Sequence, residues 1–320
     1  MTTPDRLEGS LQHVGLLYRD DDEYAEGCGA FLDRALAVGG PVLVAVPGRG
    51  GEVIRALVGG RSSAVTFVDM AVAGRNPGRI IPGLLLPFLR DHTGHPAWIV
   101  AEPLWKGRGD MEYAACAAQE ALINVALAGD EATVLCPYDA SRLHTQAVVD
   151  AHRTHPVMRD TAGTRDSPAY TDPLETAAAF DVPLPRPPSG AATCCFDGVR
   201  ALPSVRDFAG ARAAEAGLAP LRVSELAIAV NELATNTVEH TRGPGRLTVW
   251  TEHDVFVCQI DDTGRIRDPL AGLVPPPDTA THGRGLVVVH ELADLVRLHR
   301  HASGTSVRVH FDLPRGRAGD

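Results

Sequence analysis

The sequence lacks the features that place a protein across a membrane or send it out of the cell. It contains no run of eighteen or more uncharged apolar residues, and its start, MTTPDRLEGS, is not a basic segment followed by an apolar one. A membrane-spanning helix needs about 20 apolar residues, and a secretory signal needs an apolar core. We therefore expect a cytoplasmic protein that neither spans a membrane nor is secreted.

The sequence also lacks paired cysteines and a surplus of positive charge. Its six cysteines, at positions 28, 116, 136, 194, 195 and 258, include no Cys-x-x-Cys pair. This favours reduced thiols over a disulfide framework or a zinc knuckle. Asp and Glu outnumber Lys and Arg by 40 to 30, so the formal net charge is −10. Such a balance argues against a direct nucleic-acid partner.

The apolar residues that are present suffice for two cores. The chain has 320 residues, of which 44% are hydrophobic and 22% are charged, and this length is typical of two domains. The break falls in a stretch rich in prolines, which remove backbone donors and restrict the preceding residue. We predict domains at 1–158 and 193–320, joined by a linker at 159–192 that holds neither a helix nor a central strand.

The first domain shows short apolar runs that alternate with helix-like segments. This order predicts a parallel sheet covered on both faces by helices, and hence an α/β fold. The predicted strands are 13–18, 41–47, 64–70, 97–103 and 132–139, and the predicted helices are 21–37, 51–57 and 109–127.

The second domain has a different order of elements. Two helices are predicted at 204–218 and 221–241, and two strands follow around a turn near His253. A further helix begins at about Gly285, ahead of a final strand pair, LVRLHRH and TSVRVHFDL. Helices followed by an antiparallel meander with one inserted helix predict an α+β sandwich.

The helix at 221–241 carries a polar pair outside its apolar stripe. Glu232 and Asn236 are four residues apart and lie on one helix face, which alone would indicate only a solvated surface. Three motifs follow downstream: Asp262-Thr263-Gly264 after a strand, His282-Gly283-Arg284-Gly285 ahead of a helix, and Gly304-Thr305 at the last strand. Glycines ahead of a helix N-terminus let N–H groups approach phosphate, and an amide oxygen suits Mg²⁺.

In this order the motifs resemble the GHKL ATPase domain, a Bergerat-type ATP-binding sandwich found in gyrases and histidine kinases, over about 200–313. They are most similar to the anti-sigma-factor serine kinases of bacterial sporulation and stress control. The resemblance implies ATP and Mg²⁺ as cofactors. It implies that Glu232 is the general base or the carboxylate that positions water, and that Asn236 is a Mg²⁺ ligand. It implies that Asp262 binds the adenine, next to a turn at Gly264, and that the Thr305 hydroxyl supports Asp262. The residues implied to bind the phosphates are Gly283, Arg284 and Gly285. The stretch Gly264–Arg284 is expected to form a mobile lid, with Ile266 where the family has a second glycine.

The same resemblance implies a signalling kinase that controls transcription by partner switching. Its implied phosphoacceptor is a serine or threonine on an anti-sigma antagonist of the STAS type, with a sigma factor as another partner and a homodimer as the assembly. Two alternatives stay open. One is a non-catalytic anti-sigma factor or adaptor that binds nucleotide as a conformational ligand. The other is an atypical sensor histidine kinase, although proline-rich residues 160–200 stand where its phosphoacceptor hairpin would be.

The first half resembles the MEDS sensory domain of methanogen and methylotroph sensors over about 10–160. The resemblance is carried by HVGLLY at 13–18, Phe31-Leu32 ahead of Gly39-Gly40, Cys136-Pro137-Tyr138-Asp139 and Thr154-His155-Pro156. It implies a RecA-like α/β core that senses a small molecule, with simple hydrocarbon derivatives as the proposed class. The implied sensory residues are His13, Glu102, Trp105, Glu120, Cys136, Tyr138 and His155.

Two other interpretations of the first half concern phosphate and metal. The segment PGRGG at 47–51 lies between a strand and a helix, but it lacks the Gly-Lys-Ser/Thr that serves phosphate and Mg²⁺ in a phosphate loop. His13, Cys136 and His155 would form a metal or ligand cluster if the strands bring them together. Each is otherwise an ordinary core or strand-end residue.

Overall fold

The computed structural model describes residues 10–241, 243–277, 279–280 and 282–314. The chain divides into two compact units, Met1–Phe180 and Asp181–Asp320. No helix within the described ranges is both long and apolar enough to cross a membrane.

The first unit is built on a seven-stranded sheet. Its strands are β1 (Gln12–Tyr18), β2 (Val42–Val46), β3 (Val65–Asp69), β4 (Ala97–Ala101), β5 (Ala132–Asp139), β6 (Val157–Asp160) and β7 (Gly163–Asp166). The spatial order is β3-β2-β4-β5-β1-β6-β7, and all neighbours are parallel except β6 and β7. The predicted α/β class is confirmed, with β7 making the sheet mixed instead of wholly parallel.

Seven α-helices accompany this sheet in the described part of the first unit. They are α1 (Asp21–Val38), α2 (Gly48–Val58), α3 (Met70–Ala73), α4 (Leu86–Asp91), α5 (Asp110–Ala126), α6 (Thr145–Thr154) and α7 (Pro173–Ala179). The central strands β2 and β4 are buried along their whole length. Their apolar side chains can therefore be continuous, as expected of strands covered on both faces.

Residues 159–192 were predicted to hold neither a helix nor a central strand. The helix α7 shows that the first part was wrong, whereas β7 lies at the edge of the sheet. The hairpin of β6 and β7 and the helix α7 belong to the first unit. Pro173 occupies the first turn of α7, where a backbone N–H is not needed. The side chain of Asp172 caps this helix by accepting from the N–H groups of Leu174 and Glu175, both at 2.9 Å.

The chain after Phe180 lies along the second unit and is not a free spacer. The Asp181 carboxylate lies 2.7 Å from Nδ1 of His299 and accepts from the backbone N–H of Arg300 at 3.2 Å. Further along, the guanidinium of Arg308 donates to the carbonyl of Pro185. The boundary between the units therefore falls at residue 180, inside the predicted linker.

The second unit is a five-stranded antiparallel sheet with helices, so the predicted α+β class is confirmed. Its elements are β8 (Ala192–Phe196), α8 (Leu202–Glu215), α9 (Pro220–His240), β9 (Gly245–Glu252), β10 (Val255–Asp262), α10 (Gly285–Leu292), β11 (Leu295–His301) and β12 (Gly304–Asp312). The order is β11-β12-β10-β9-β8. Leu226, Val230 and Leu233 of α9 belong to one apolar core with Phe256 and Phe311 of the sheet. This packing holds α9 beside the end of β10.

Candidate functional site

A cavity of about 360 Å³ lies in the second unit. It falls within the roughly 300–1,000 Å³ that small-molecule sites occupy. Its walls come from α9, the end of β10, the segment after it, the start of α10 and β12, through Leu233, Asn236, His240, Thr241, Ile260, Asp262, Gly264, Arg265, Ile266, Arg267, Asp268, Ala271, Gly272, Gly283, Gly285, Leu286, Thr305 and Val307.

The Asp262 carboxylate is held in place on the cavity wall by two donors. Its Oδ2 accepts from the buried hydroxyl of Thr237 at 2.7 Å, and its Oδ1 accepts from the N–H of Gly264, also at 2.7 Å. Each carboxylate oxygen retains a lone pair for a further donor. Asp262 can therefore read an amino group presented from the cavity.

Thr305 and Thr237 divide the supporting role that the resemblance assigned to Thr305 alone. Thr305 pairs with Asp262 across β10 and β12, but its hydroxyl donates to the carbonyl of Gly264 at 2.8 Å. Thr305 thus holds the turn, and Thr237 holds the carboxylate. Sequence reasoning missed Thr237, although it directly follows Asn236 on the same helix.

Gly285 brings the start of α10 close to the polar face of α9. A Cβ on Gly285 would lie 2.9 Å from Oε2 of Glu232 and 3.4 Å from the amide atoms of Asn236. Asn236 lines the cavity, whereas Glu232 is absent from the described residues that do. The Glu232 carboxylate lies against Gly285, one helical turn before Asn236.

The predicted phosphate-binding residues differ in what they contact. Gly283 lines the cavity and has a φ of 95°, a conformation that favours glycine. The Arg284 guanidinium donates to the carbonyl of Pro277 at 3.4 Å, and Arg284 is not among the described lining residues. Since α10 begins at Gly285, its unpaired N–H groups and positive dipole end lie at the cavity. This end of the cavity suits an anion.

In the first unit, five of the seven predicted sensory residues meet in a buried cluster. His13 lies on β1, Glu120 on α5, Cys136 and Tyr138 on β5, and His155 at the end of α6. Each is at most 3% exposed. Glu120 is central: its Oε2 lies 3.0 Å from Nε2 of His155, 3.7 Å from Nε2 of His13 and 2.9 Å from the Tyr138 hydroxyl.

Burial and proximity shift the titration of these groups in different directions. Burial raises the pKa of Glu120, but the adjacent His155, with His13 and Tyr138, outweighs it and lowers that pKa below its ordinary value. Burial and the neighbouring His155 lower the pKa of His13 to about 3. Burial and Glu120 raise the pKa of Cys136 well above its ordinary value.

The two remaining predicted sensory residues have other neighbours. Glu102, just after β4, accepts from the Tyr18 hydroxyl at 3.3 Å. Burial raises its pKa to about 8, against the effect of that hydrogen bond, and Asp139 adds to the rise. The half-buried Trp105 has the Arg108 guanidinium 4.4 Å from its ring centre.

Sequence reasoning also missed a residue that supports the cluster. Asn124 lies four residues after Glu120 on α5, and its Oδ1 is 3.1 Å from Nδ1 of His13. The spacing of four was the available signal, because such residues share a helix face.

Comparison with known proteins gives matches to both halves. Residues 12–156 match the family model described as MEDS, the methanogen/methylotroph, DcmR sensory domain. Residues 198–311 match the histidine kinase-like ATPase domain. The crystal structure of the RsbU and RsbW domains of Rv1364c from Mycobacterium tuberculosis is 20% identical, with a TM-score of 0.31, over 41% of this chain and 34% of that one. The match thus spans about a third of that solved chain. A search of curated proteins found no match.

Both predicted resemblances are confirmed by the family models. The first half is similar to the MEDS sensory domain, and the second half is similar to the histidine kinase-like ATPase domain.

Proposed function

We propose that this chain, in which a MEDS-like domain precedes a histidine kinase-like ATPase domain, is a signalling kinase. The second unit binds ATP with Mg²⁺ and phosphorylates a serine or threonine of a partner protein. The observation that carries the proposal is the Asp262 carboxylate, fixed by Thr237 and Gly264 on the wall of a 360 Å³ cavity. The start of α10 borders the same cavity.

The residues around the cavity fit the nucleotide and its metal ion. Asp262 would accept the exocyclic amine of adenine, and the N–H groups around Gly283 and Gly285 would bind phosphate oxygens. Asn236 offers the amide oxygen of a hard-cation ligand. A Cβ on Gly285 would fill the gap to Glu232 and Asn236. The bare backbone at Gly285 therefore lets Asn236 lie close to the start of α10. Bound ATP with Mg²⁺ supplies the transferable phosphoryl group.

Glu232 would orient or deprotonate the hydroxyl that accepts the phosphoryl group. The partner class follows from the resemblance to anti-sigma-factor kinases: an anti-sigma antagonist of the STAS type or a sigma factor, engaged by a homodimer. A small molecule that binds the MEDS unit would set the activity and thereby control transcription through the choice of partner.

One observation favours a second candidate, a nucleotide-binding anti-sigma factor or adaptor without catalysis. Glu232 lies against Gly285 and is not among the described residues that line the cavity. In such a protein the nucleotide acts as a conformational ligand, and the carboxylate only supports α10.

Binding is tested by calorimetric titration of the full chain with ATP, with and without Mg²⁺. Asn236→Ala should lose most of the Mg²⁺-dependent part of the affinity. Asn231→Ala is the matched control, because Asn231 lies on the same helix and accepts from Arg206 at 2.7 Å. ATP binding that is indifferent to Mg²⁺ and to Asn236→Ala would sink the proposal.

Catalysis is tested by incubating the chain with labelled ATP and candidate STAS-type proteins. Glu232→Gln should slow phosphotransfer by about 10²–10⁴-fold, as loss of a general base does, with ATP affinity largely kept. Glu239→Gln, an exposed site on the same helix, is the control. ATP binding without phosphotransfer in the wild-type chain would favour the adaptor.

A further inference from the structure

His13, Glu120, Cys136 and His155 form a buried cluster in the first unit. Each residue offers one potential metal-ligand atom, and the four atoms lie within 4.8 Å of one another. The residues come from β1, α5, β5 and the end of α6. The cluster is therefore assembled by the fold and does not lie on one surface element.

Several separations between the ligand atoms are close to those around a tetrahedral metal ion. Zinc binds His nitrogen at about 2.0 Å and Cys sulfur at about 2.3 Å, which separates the ligand atoms of a tetrahedron by roughly 3.3–3.5 Å. His13 Nε2 lies 3.4 Å from Cys136 Sγ and 3.7 Å from Glu120 Oε2. Glu120 lies 3.0 Å from His155 Nε2 through Oε2 and 3.9 Å from Cys136 Sγ through Oε1.

The outer nitrogen of His13 is held by a carbonyl oxygen. The Asn124 amide nitrogen donates to the carbonyls of Thr154 at 2.8 Å and Ala121 at 3.1 Å. Its Oδ1 is consequently the atom that faces Nδ1 of His13, at 3.1 Å. His13 must therefore carry its proton on Nδ1, and the lone pair of Nε2 faces the cluster.

His155 has the same arrangement, with a backbone carbonyl in the outer position. Its Nδ1 lies 2.9 Å from the carbonyl of Ala151 and 2.9 Å from the hydroxyl of Thr154. When Nδ1–H donates to that carbonyl, the neutral ring presents a lone pair at Nε2. A metal-bound histidine usually donates its outer N–H to a carbonyl or carboxylate oxygen in this way.

The inner nitrogen of His155 has no aligned hydrogen-bond partner. Nε2 is buried and unsatisfied, although Oε2 of Glu120 is only 3.0 Å away. That oxygen already accepts from the Tyr138 hydroxyl at 2.9 Å. With the His155 proton on Nδ1, the lone pair of Nε2 faces a carboxylate oxygen inside the core, an arrangement that costs free energy unless a cation lies between them.

The space that His155 occupies depends on a glycine. Gly15 lies opposite Cys136 in the pairing of β1 with β5. A Cβ there would lie 3.2 Å from Cγ of His155 and 2.8 Å from Sδ of Met158. The bare backbone at Gly15 lets the imidazole enter the cluster.

We propose that His13, Glu120, Cys136 and His155 bind one divalent transition-metal ion, with Zn²⁺ as the best fit. A thiolate with two imidazoles and a carboxylate is a donor set that suits zinc and excludes Ca²⁺ and Mg²⁺, which prefer all-oxygen sites. The site lies in the first unit and does not depend on the proposed kinase activity. A cavity of about 10 Å³, lined in part by Glu120 and Tyr138, adjoins it, and such a volume holds about one water molecule.

The test is metal binding by the full-length chain, freed of metal by chelation and dialysis. Titration with Zn²⁺ should reach one ion per chain, and Co²⁺ should give a thiolate charge-transfer band in the near ultraviolet with visible d–d bands. Cys136→Ser should abolish the charge-transfer band. Cys116→Ser, another buried thiol, and the double variant Cys194→Ser/Cys195→Ser should keep it.

Two results would overturn the site. One is a wild-type chain that takes up no stoichiometric metal, as expected if a proton alone bridges His155 and Glu120. The other is an unchanged charge-transfer band in Cys136→Ser. Should that variant fail to fold, X-ray absorption of the zinc-loaded wild type decides: one sulfur with nitrogen and oxygen ligands supports the site, and a shell without sulfur refutes it.

Discussion

At the scale of single residues, Gly304 shows how closely the candidate nucleotide site is built. A Cβ at this position would lie 1.8 Å from the carbonyl oxygen of Asp262 and 2.9 Å from Cα of Thr263. Both neighbours are backbone atoms, which cannot move aside as a side-chain end can. The close approach fixes the strand end from which Asp262 faces the cavity.

Gly304→Ala should therefore destabilise the second unit by about 1–3 kcal/mol, the usual cost of overpacking, and weaken ATP binding. Gly210→Ala is the control, because a Cβ there meets only Cγ1 of Val223 at 3.7 Å in mid-α8. That change should stabilise the helix by about 0.5–1 kcal/mol. Urea unfolding measures both, and equal midpoints for the two variants would contradict the argument.

The buried Glu102 should make the stability of the folded chain depend on pH. Its folded-state pKa of about 8 exceeds its ordinary value of 4.5, so the folded chain holds a proton that the unfolded chain releases. The free energy of unfolding should then fall as the pH rises from about 4.5 to 8, by at most about 1.4 kcal/mol per pH unit. Above pH 8 this contribution should level off.

Glu102→Gln should remove this part of the pH dependence. Urea midpoints at pH 5 to 8 should fall less steeply for Glu102→Gln than for the wild type. Glu26→Gln, at an exposed position of α1, should follow the wild type. Parallel curves for wild type and Glu102→Gln would show that Glu102 is ionised in the folded chain.

Spacing along the chain predicted some residues of the candidate site and not others. Glu232 and Asn236 were predictable because one helix sets their relation, and Asp262 because it ends a strand. Thr237 on α9 contacts Asp262 on β10, 25 residues further along the chain. The spacing of residues within one helix or strand does not predict such a contact between two elements. Whether Glu232 reaches the cavity depends likewise on how closely α10 approaches, which is set by tertiary packing at Gly285.

At the scale of elements, the spacing of apolar residues predicted most helices and strands, because each element buries one or both of its faces. The buried strands β2 and β4 are short apolar runs, and α9 repeats apolar residues at helical spacing. The hairpin of β6 and β7 and the helix α7 have no such signal. Strand β7 is exposed along its length, and α7 depends on its Asp172 cap and on packing against α5.

The segment after β10 should become less mobile when nucleotide binds. Arg265, Ile266, Arg267 and Asp268 line the candidate nucleotide cavity together with Gly272. A bound triphosphate would contact their backbone, so a non-hydrolysable ATP analogue should slow amide exchange across 264–277. The hairpin of β9 and β10 is the internal control. Unchanged exchange would show that the segment does not contact the nucleotide. Positions 278 and 281 of the predicted lid lie outside the described residues.

At the scale of the whole molecule, the two proposals together predict coupling. A sensed ligand shifts an equilibrium only if it binds two states unequally, and allosteric coupling is typically about 1–3 kcal/mol. Zinc-loaded and zinc-free full-length chains should thus differ several-fold in ATP affinity by calorimetry. Cys136→Ser should show no such difference. Equal affinities in the two wild-type forms would mean that the units act independently.

The distribution of thiols between the units has a practical consequence for kinetics. Cys195 on β8 is exposed and Cys194 half-buried, whereas Cys28, Cys116 and Cys136 are buried in the first unit and Cys258 in the second. An alkylating reagent should modify Cys195 at once and reach the others only when their unit opens. The order in which the buried sulfurs gain label, read by mass spectrometry, therefore times the opening of each unit separately, without any probe being added to the chain.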